Sequence, residues 1–249
     1  MADEKLQGVR RGIYLLPNLF TVGAMFAGFY AIIAATHSNF DMAAIAILIA
    51  MLLDGLDGRV ARLTQTQSEF GAQMDNMSDM LCFGVAPALV LYEWSLHGIG
   101  KIGWLAAFIY TVCTALRLAR FLSLDDPTDK RFSRGLTTTA AAGFVASVLW
   151  FCTAHNIDGD SIKTLIIIMT LCVGLLKVST IPYHTFKDFD VRNKISFLAI
   201  VIIVLVLAFI VLDPPDVFLA VFGLYTLSGP ALSLWKWMRR YKKTNTPAH

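Results

Sequence analysis

The chain has 249 residues, 56% of them hydrophobic and only 16% charged, with a formal net charge of +3 and a mean hydropathy of +0.62. A soluble domain carries about 25% charged and 45–50% apolar residues. A soluble globular enzyme, a disordered chain and a disulfide-knotted secreted domain are therefore excluded, and an all-α, polytopic membrane helical bundle remains.

A spanning helix needs about 20 mostly apolar residues. In chain order, residues 1–16 read as a cytoplasmic juxtamembrane segment, with Arg10 and Arg11 flanking the first span. Spans are predicted at 17–37, 41–62, 75–96, 102–122, 136–155, 162–182, 195–212 and 217–236, eight in all. Eight crossings put both termini on one side. Of the 21 Lys and Arg, all but Lys101 and Lys163 fall in the loops or helix ends of that side. The positive-inside rule then makes that side cytoplasmic. Cys82, Cys113, Cys152 and Cys172 each stand alone in apolar sequence, the habit of packing cysteines and not of metal ligands. No linker divides the chain, so residues 1–249 form one domain. Nothing in the pattern points to nucleic acid.

The chemistry is concentrated in Leu53–Met80, LDGLDGRVARLTQTQSEFGAQMDNMSDM. Asp54 and Asp57 are three apart, and Asp75 and Asp79 four apart, so each pair shares a helix face. The polar stretch between them is too short to cross. Both pairs must therefore lie at the cytoplasmic ends of two antiparallel neighbours. Four converging carboxylates repel unless a cation compensates them. Hard oxygen ligands without His or Cys suit Mg²⁺ or Mn²⁺, and two metals suit phosphoryl-type transfer. Gly55, Gly58, Ala61, Gly71 and Ala72 leave room beside the backbone, and Arg59 and Arg62 could bind phosphate oxygens. A cation-coupled transporter is the alternative from another class. The placement of the acids at one face weighs against it, because transporter sites lie near mid-depth.

Asp54-x-x-Asp57-Gly58-x-x-Ala61-Arg62, eight residues, then Gly71-x-x-x-Asp75-x-x-x-Asp79 resembles the signature of the CDP-alcohol phosphatidyltransferase family. The resemblance implies a membrane enzyme with a six-helix core (17–182), here with two additional C-terminal helices (195–236). It implies two divalent metals, Mg²⁺ or Mn²⁺. Asp54, Asp57 and Asp75 would hold the first, Asp75 and Asp79 the second, and Asp79 would be the general base. Gly58, Ala61, Arg62 and Gly71 would line the CDP-lipid pocket, with Asn18 and Thr21 from Leu16-Pro17-Asn18-Leu19-Phe20-Thr21.

Further segments are similar to the serine-using branch of that family: Ser78-Asp79-x-x-x-Phe83-Gly84-x-Ala86-Pro87-Ala88, Ala115-Leu116-Arg117-Leu118-Ala119-Arg120-Phe121, and Gly174-Leu175-Leu176-Lys177-Val178-Ser179-Thr180-Ile181-Pro182-Tyr183. The implied partners are CDP-diacylglycerol, L-serine, membrane lipids and a second copy in a homodimer. The implied location is a bacterial inner membrane with termini and site cytoplasmic. The chain departs from the pattern at Thr137-Thr138-Thr139-Ala140, where a proline is expected, and at Leu122, where asparagine is usual. Both departures bear on the acceptor pocket. Glycerol phosphate, an inositol derivative or choline are the alternative acceptors. A serine carboxylate needs a fixed cation, and Arg117, Arg120, Lys130 and Arg131 are the candidates for it or for phosphate.

Overall fold

The computed structural model describes residues 2–123, 132–184 and 211–244. Among the described residues seven long helices carry the chain: α1 Ala2–Thr36, α2 Phe40–Leu63, α3 Glu69–Asp79 with its continuation, and α5 Lys101–Ser123. They are followed by α6 Thr138–Ala154, α7 Lys163–Val178 and α8 Pro214–Thr244. The third span continues past Asp79 as a widened π turn over Met80–Val85, a short helix α4 over Ala86–Leu91 and a second π turn over Tyr92–Leu96. Pro87 explains the first π turn. It cannot donate to a carbonyl one turn back, and its ring crowds that turn. The helix widens there, and the Ala86 amide reaches Leu81 O. Widened turns of this kind collect at functional sites, and this one begins one residue after Asp79.

Four stretches are long and apolar enough to cross a membrane, among the described residues: Pro17–Thr36, Glu69–Ile99, Lys101–Leu122 and Pro214–Trp235. Thr138–Ala154 is apolar but shorter. This is coarser than the eight spans expected. The second span is a full 24-residue helix whose last third carries the acids and arginines. The seventh, 195–212, lies outside the described residues except at its end. Residues 2–16 continue the first span as one helix, with Pro17 inside it.

Small residues hold α1 to α2. Ala24, Ala27, Ala31, Ala34 and Ala35 face Ala43, Ala44, Ala46 and Ala50, all buried. Without water to drive association, close backbone approach and dispersion must do it, which favours alanine and glycine at helix contacts. Gly28 shows the tightness: a Cβ there would stand 2.8 Å from Cys82 Sγ, whose thiol donates to Ala24 O at 3.1 Å. Large apolar side chains point outward instead, among them Phe26, Phe29, Phe108 and Leu175, as expected for a lipid-facing surface. Cys82, Cys113 and Cys152 are buried and unpaired, while Cys172 is exposed.

From α1 to α7 the successive spans alternate in direction, and α8 runs the same way as α7. The carboxylate end of the bundle holds the end of α2, the start of α3, the ends of α5 and α7 and the start of α6. At that end β1 Phe132–Arg134 pairs antiparallel with β2 Pro182–His184, Phe132 opposite His184. Gly135 follows at φ +82°, where a Cβ would stand 2.4 Å from Lys177 O. Only glycine turns the chain there. Its amide donates to Ile181 O and that of Leu136 to Leu176 O, which ties the start of α6 to the end of α7. The opposite end is closed by the Thr153–Asp41 hydrogen bond and the His155–Asp216 ion pair at 3.7 Å.

Candidate active site

Asp54 and Asp57 sit on the last turns of α2, and Asp75 and Asp79 on α3. One ligand oxygen from each of Asp54, Asp57 and Asp75 lies within 4.8 Å of the others. Asp79 lies within electrostatic range of Asp54 and Asp75, outside that group of three. Helical spacing thus brings Asp54, Asp57 and Asp75 together. Asp57 is nearly inaccessible at 5% exposure, and Thr21, at 4%, donates to its Oδ2 at 2.7 Å. The Thr21 hydroxyl also lies 3.2 Å from Pro17 O, so the first helix aims Asp57.

Three carboxylate oxygens this close to one another, with Asp79 nearby, require a proton or a cation among them. Among the described residues, no His or Cys belongs to the acid group. The donor set is thus hard, anionic and oxygen-only, and it fits divalent cations of the Mg²⁺ or Mn²⁺ kind.

A cavity of about 210 Å³ opens beside the acids, lined by residues of α1, α2, α3 and the loop between the last two. Asn18, Thr21, Gly58, Ala61 and Gly71 all line it, together with Asp57 and Asp75. Gly55 and Gly58 have nothing within 4 Å of a Cβ position, so their backbone is open to a ligand. At Gly71 a Cβ would lie 3.2 Å from Ser68 Oγ and 3.4 Å from Asn18 Oδ1. Ser68 caps α3 by accepting from the Gly71 amide at 3.0 Å. The cap and the open wall are one device, since a side chain at 71 would crowd both. Arg62 is not part of the lining. It folds along its own helix, with Nε donating to Gly58 O at 2.9 Å.

The candidate acceptor residues divide. Arg117, half-buried, lies within electrostatic range of Asp79 and of the Tyr225 phenol. Arg120 turns to the end of α7, where Nη1 donates to Val178 O at 3.0 Å and Nη2 lies 3.5 Å from Lys177 O. It neutralises the negative end of that helix. Lys130 and Arg131 lie outside the described residues. Lys177, part of the Gly174–Tyr183 segment quoted above, is fully buried, donates to Thr114 Oγ1 at 2.7 Å and stands 3.1 Å from the Tyr110 ring centroid. No local signal in the sequence marks Tyr225.

An acid cluster on two antiparallel helices beside a glycine-walled cavity defines a group-transfer site for a phosphate-bearing lipid substrate. The match to known proteins makes the class definite: residues 14–179 match CDP-alcohol phosphatidyltransferase, and the chain belongs to that family. It is 36% identical over 218 residues to the CDP-diacylglycerol–serine O-phosphatidyltransferase of Helicobacter pylori, covering 87% of this chain and 90% of that one. It is 32% identical over 207 residues to the enzyme of that name from Mycobacterium leprae, covering 81% and 69%. A relative of the same name from Methanocaldococcus jannaschii is 35% identical over 142 residues, 57% of this chain and 63% of its own.

Proposed function

We propose that this enzyme transfers the phosphatidyl group of CDP-diacylglycerol to the hydroxyl of L-serine, giving phosphatidylserine and CMP. The observation that carries the proposal is the convergence of Asp54, Asp57, Asp75 and Asp79 beside the cavity walled by Asn18, Thr21, Gly58, Ala61 and Gly71. The serine acceptor is supported by the names of the relatives that cover most of the chain.

CDP binds in the cavity, with Gly58 and Gly71 admitting it close to the backbone. Asp54, Asp57 and Asp75 would hold one divalent ion, and Asp75 and Asp79 a second. Bound metal would supply Lewis-acid stabilisation of the diphosphate charge. Asp79 takes the proton of the acceptor hydroxyl as its oxygen bonds to the phosphorus that carries diacylglycerol. The bond from that phosphorus to the CMP oxygen breaks, and CMP leaves. Arg117, next to Asp79, holds the serine carboxylate.

Residues 17–182 act as the catalytic core, with 195–236 as an addition, inside one domain. The described chain stops at His184 on the carboxylate end and resumes at Val211 near the opposite end. The reading is eight crossings, with both termini and the site on the cytoplasmic side of a bacterial inner membrane, and its support is the gathering of all Lys and Arg but Lys101 and Lys163 on one side. A homodimer follows from the family resemblance. Family membership and the placement of the acids at one end both weigh against the transporter.

CMP release from CDP-diacylglycerol by purified protein, with serine, glycerol phosphate, inositol phosphate and choline as acceptors, tests this. Serine alone should support rapid release, lost on chelation and restored by Mg²⁺ or Mn²⁺. Faster release with another alcohol overturns the serine assignment, and release that survives chelation overturns the metal site.

A further inference from the structure

Between Lys163 and Lys177 helix α7 carries no charge, and Lys177 at its last turn is 0% exposed. Its ammonium has two partners, both on α5. It donates to Thr114 Oγ1 at 2.7 Å and stands 3.1 Å from the Tyr110 ring centroid. Among the described residues no carboxylate pairs with it. Burying an ammonium costs more than one hydroxyl and one ring face offset. A methionine would fill the same space without that cost. Packing therefore does not explain the lysine, and an ionisable group inside an apolar bundle points to function.

What the lysine fixes is Thr114, also 0% exposed. The Thr114 hydroxyl donates to Tyr110 O at 3.1 Å and accepts from Lys177. Threonine in a helix otherwise divides between two rotamers. With its oxygen held on both sides, its methyl group is held too. That methyl rests against Gly84, where a Cβ would stand 3.2 Å from Thr114 Cγ2 and 3.3 Å from Thr114 Cβ. Thr111, three residues earlier on the same face of α5, places its Oγ1 3.4 Å from Gly84 O. Gly84 belongs to the π turn Met80–Val85, which begins directly after Asp79. The regular helical ladder is interrupted in such a turn. The contacts from α5 then set how the helix enters it.

We propose that Lys177 is a positioning residue for Asp79: by locking Thr114 against Gly84 it fixes the π turn, and with it the direction of the carboxylate one residue upstream. This rests on the transferase reading above, in which Asp79 takes the acceptor proton. It makes α7, through α5, a support of the acid-bearing third span.

The test is CMP release by the full-length protein in detergent, with Lys177→Met and with Lys177→Met combined with Thr114→Val. Methionine removes the buried charge and keeps the volume, so the single variant should unfold at no lower temperature than wild type. Its kcat should nevertheless fall roughly tenfold, while the KM values for CDP-diacylglycerol and serine stay within about twofold. Valine has one favoured helical rotamer and keeps a methyl group on Gly84. The double variant should therefore recover kcat to within about threefold of wild type. An unchanged kcat in Lys177→Met, or a loss that the valine does not recover, overturns the positioning role. So does a variant that fails to fold or unfolds earlier with kcat and both KM values drifting together, which marks the lysine as structural. Wild-type protein that releases no CMP with any acceptor overturns the transferase reading itself, and the proposal with it.

Discussion

The two halves of the site are built in different ways. The metal and CDP half comes from one continuous stretch, the end of α2, a short loop and the start of α3, with the start of α1 laid across it through Thr21 and Asn18. The proposed acceptor half has Arg117 of α5, within electrostatic range of Asp79. Helical periodicity puts each carboxylate pair on one face. Arg117 depends instead on how α5 packs beside the acid-bearing helices. Chemistry shared across a family can sit in the first half, while acceptor choice can change in the second without disturbing it.

The largest effect should come from the local half. Asp79→Asn keeps the shape but removes the base, and turnover should fall by roughly 10³-fold or more. Binding of CDP-diacylglycerol, followed by protection of the protein against thermal unfolding, should largely survive. Turnover within about tenfold of wild type would break the assignment of Asp79 and blur the contrast between the halves.

The joint between the halves should answer next. At Gly135 a Cβ would meet Lys177 O at 2.4 Å in a left-handed backbone. Gly135→Ala should therefore destabilise the protein by about 3 kcal/mol, seen as a lower unfolding temperature in detergent. It should weaken serine use more than CDP-lipid binding, because this turn starts α6 and carries Thr137. Equal loss in both would mean that the halves are not separable.

The smallest effect is expected at Arg120. Its donors are engaged by Val178 O and Lys177 O. Arg120→Ala should cost about 1 kcal/mol of stability and leave the serine KM within about twofold. A large rise in that KM, with stability intact, would move the carboxylate contact from Arg117 to Arg120.

Legibility in the sequence followed the same division. Asp54, Asp57, Asp75 and Asp79 could be read because residues three or four apart must share a helix face, and because charge is scarce in so apolar a chain. Gly58, Ala61 and Gly71 were legible as open wall for the same local reason. The two arginines of α5 were equally visible as a pair, but their opposite fates were not. Periodicity puts both on one side of a helix without saying that one meets α7 and the other lies within electrostatic range of Asp79. Lys177 could be read as part of a family-like segment, but its partners Thr114 and Tyr110 could not, because they lie on α5. The π turn after Asp79 was hinted at only by Pro87.

The sequence by itself determined the class of molecule, the two acid-bearing helix ends and the kind of cation they suit, since hydropathy and helical spacing are properties of short segments. The tertiary structure decided which cation serves the site and which serves a helix end. It also decided that Tyr225 packs against Tyr183. Those choices depend on how closely distant helices approach. Gly143, Gly135 and Gly229 set that approach, and only the packed bundle shows what each glycine admits.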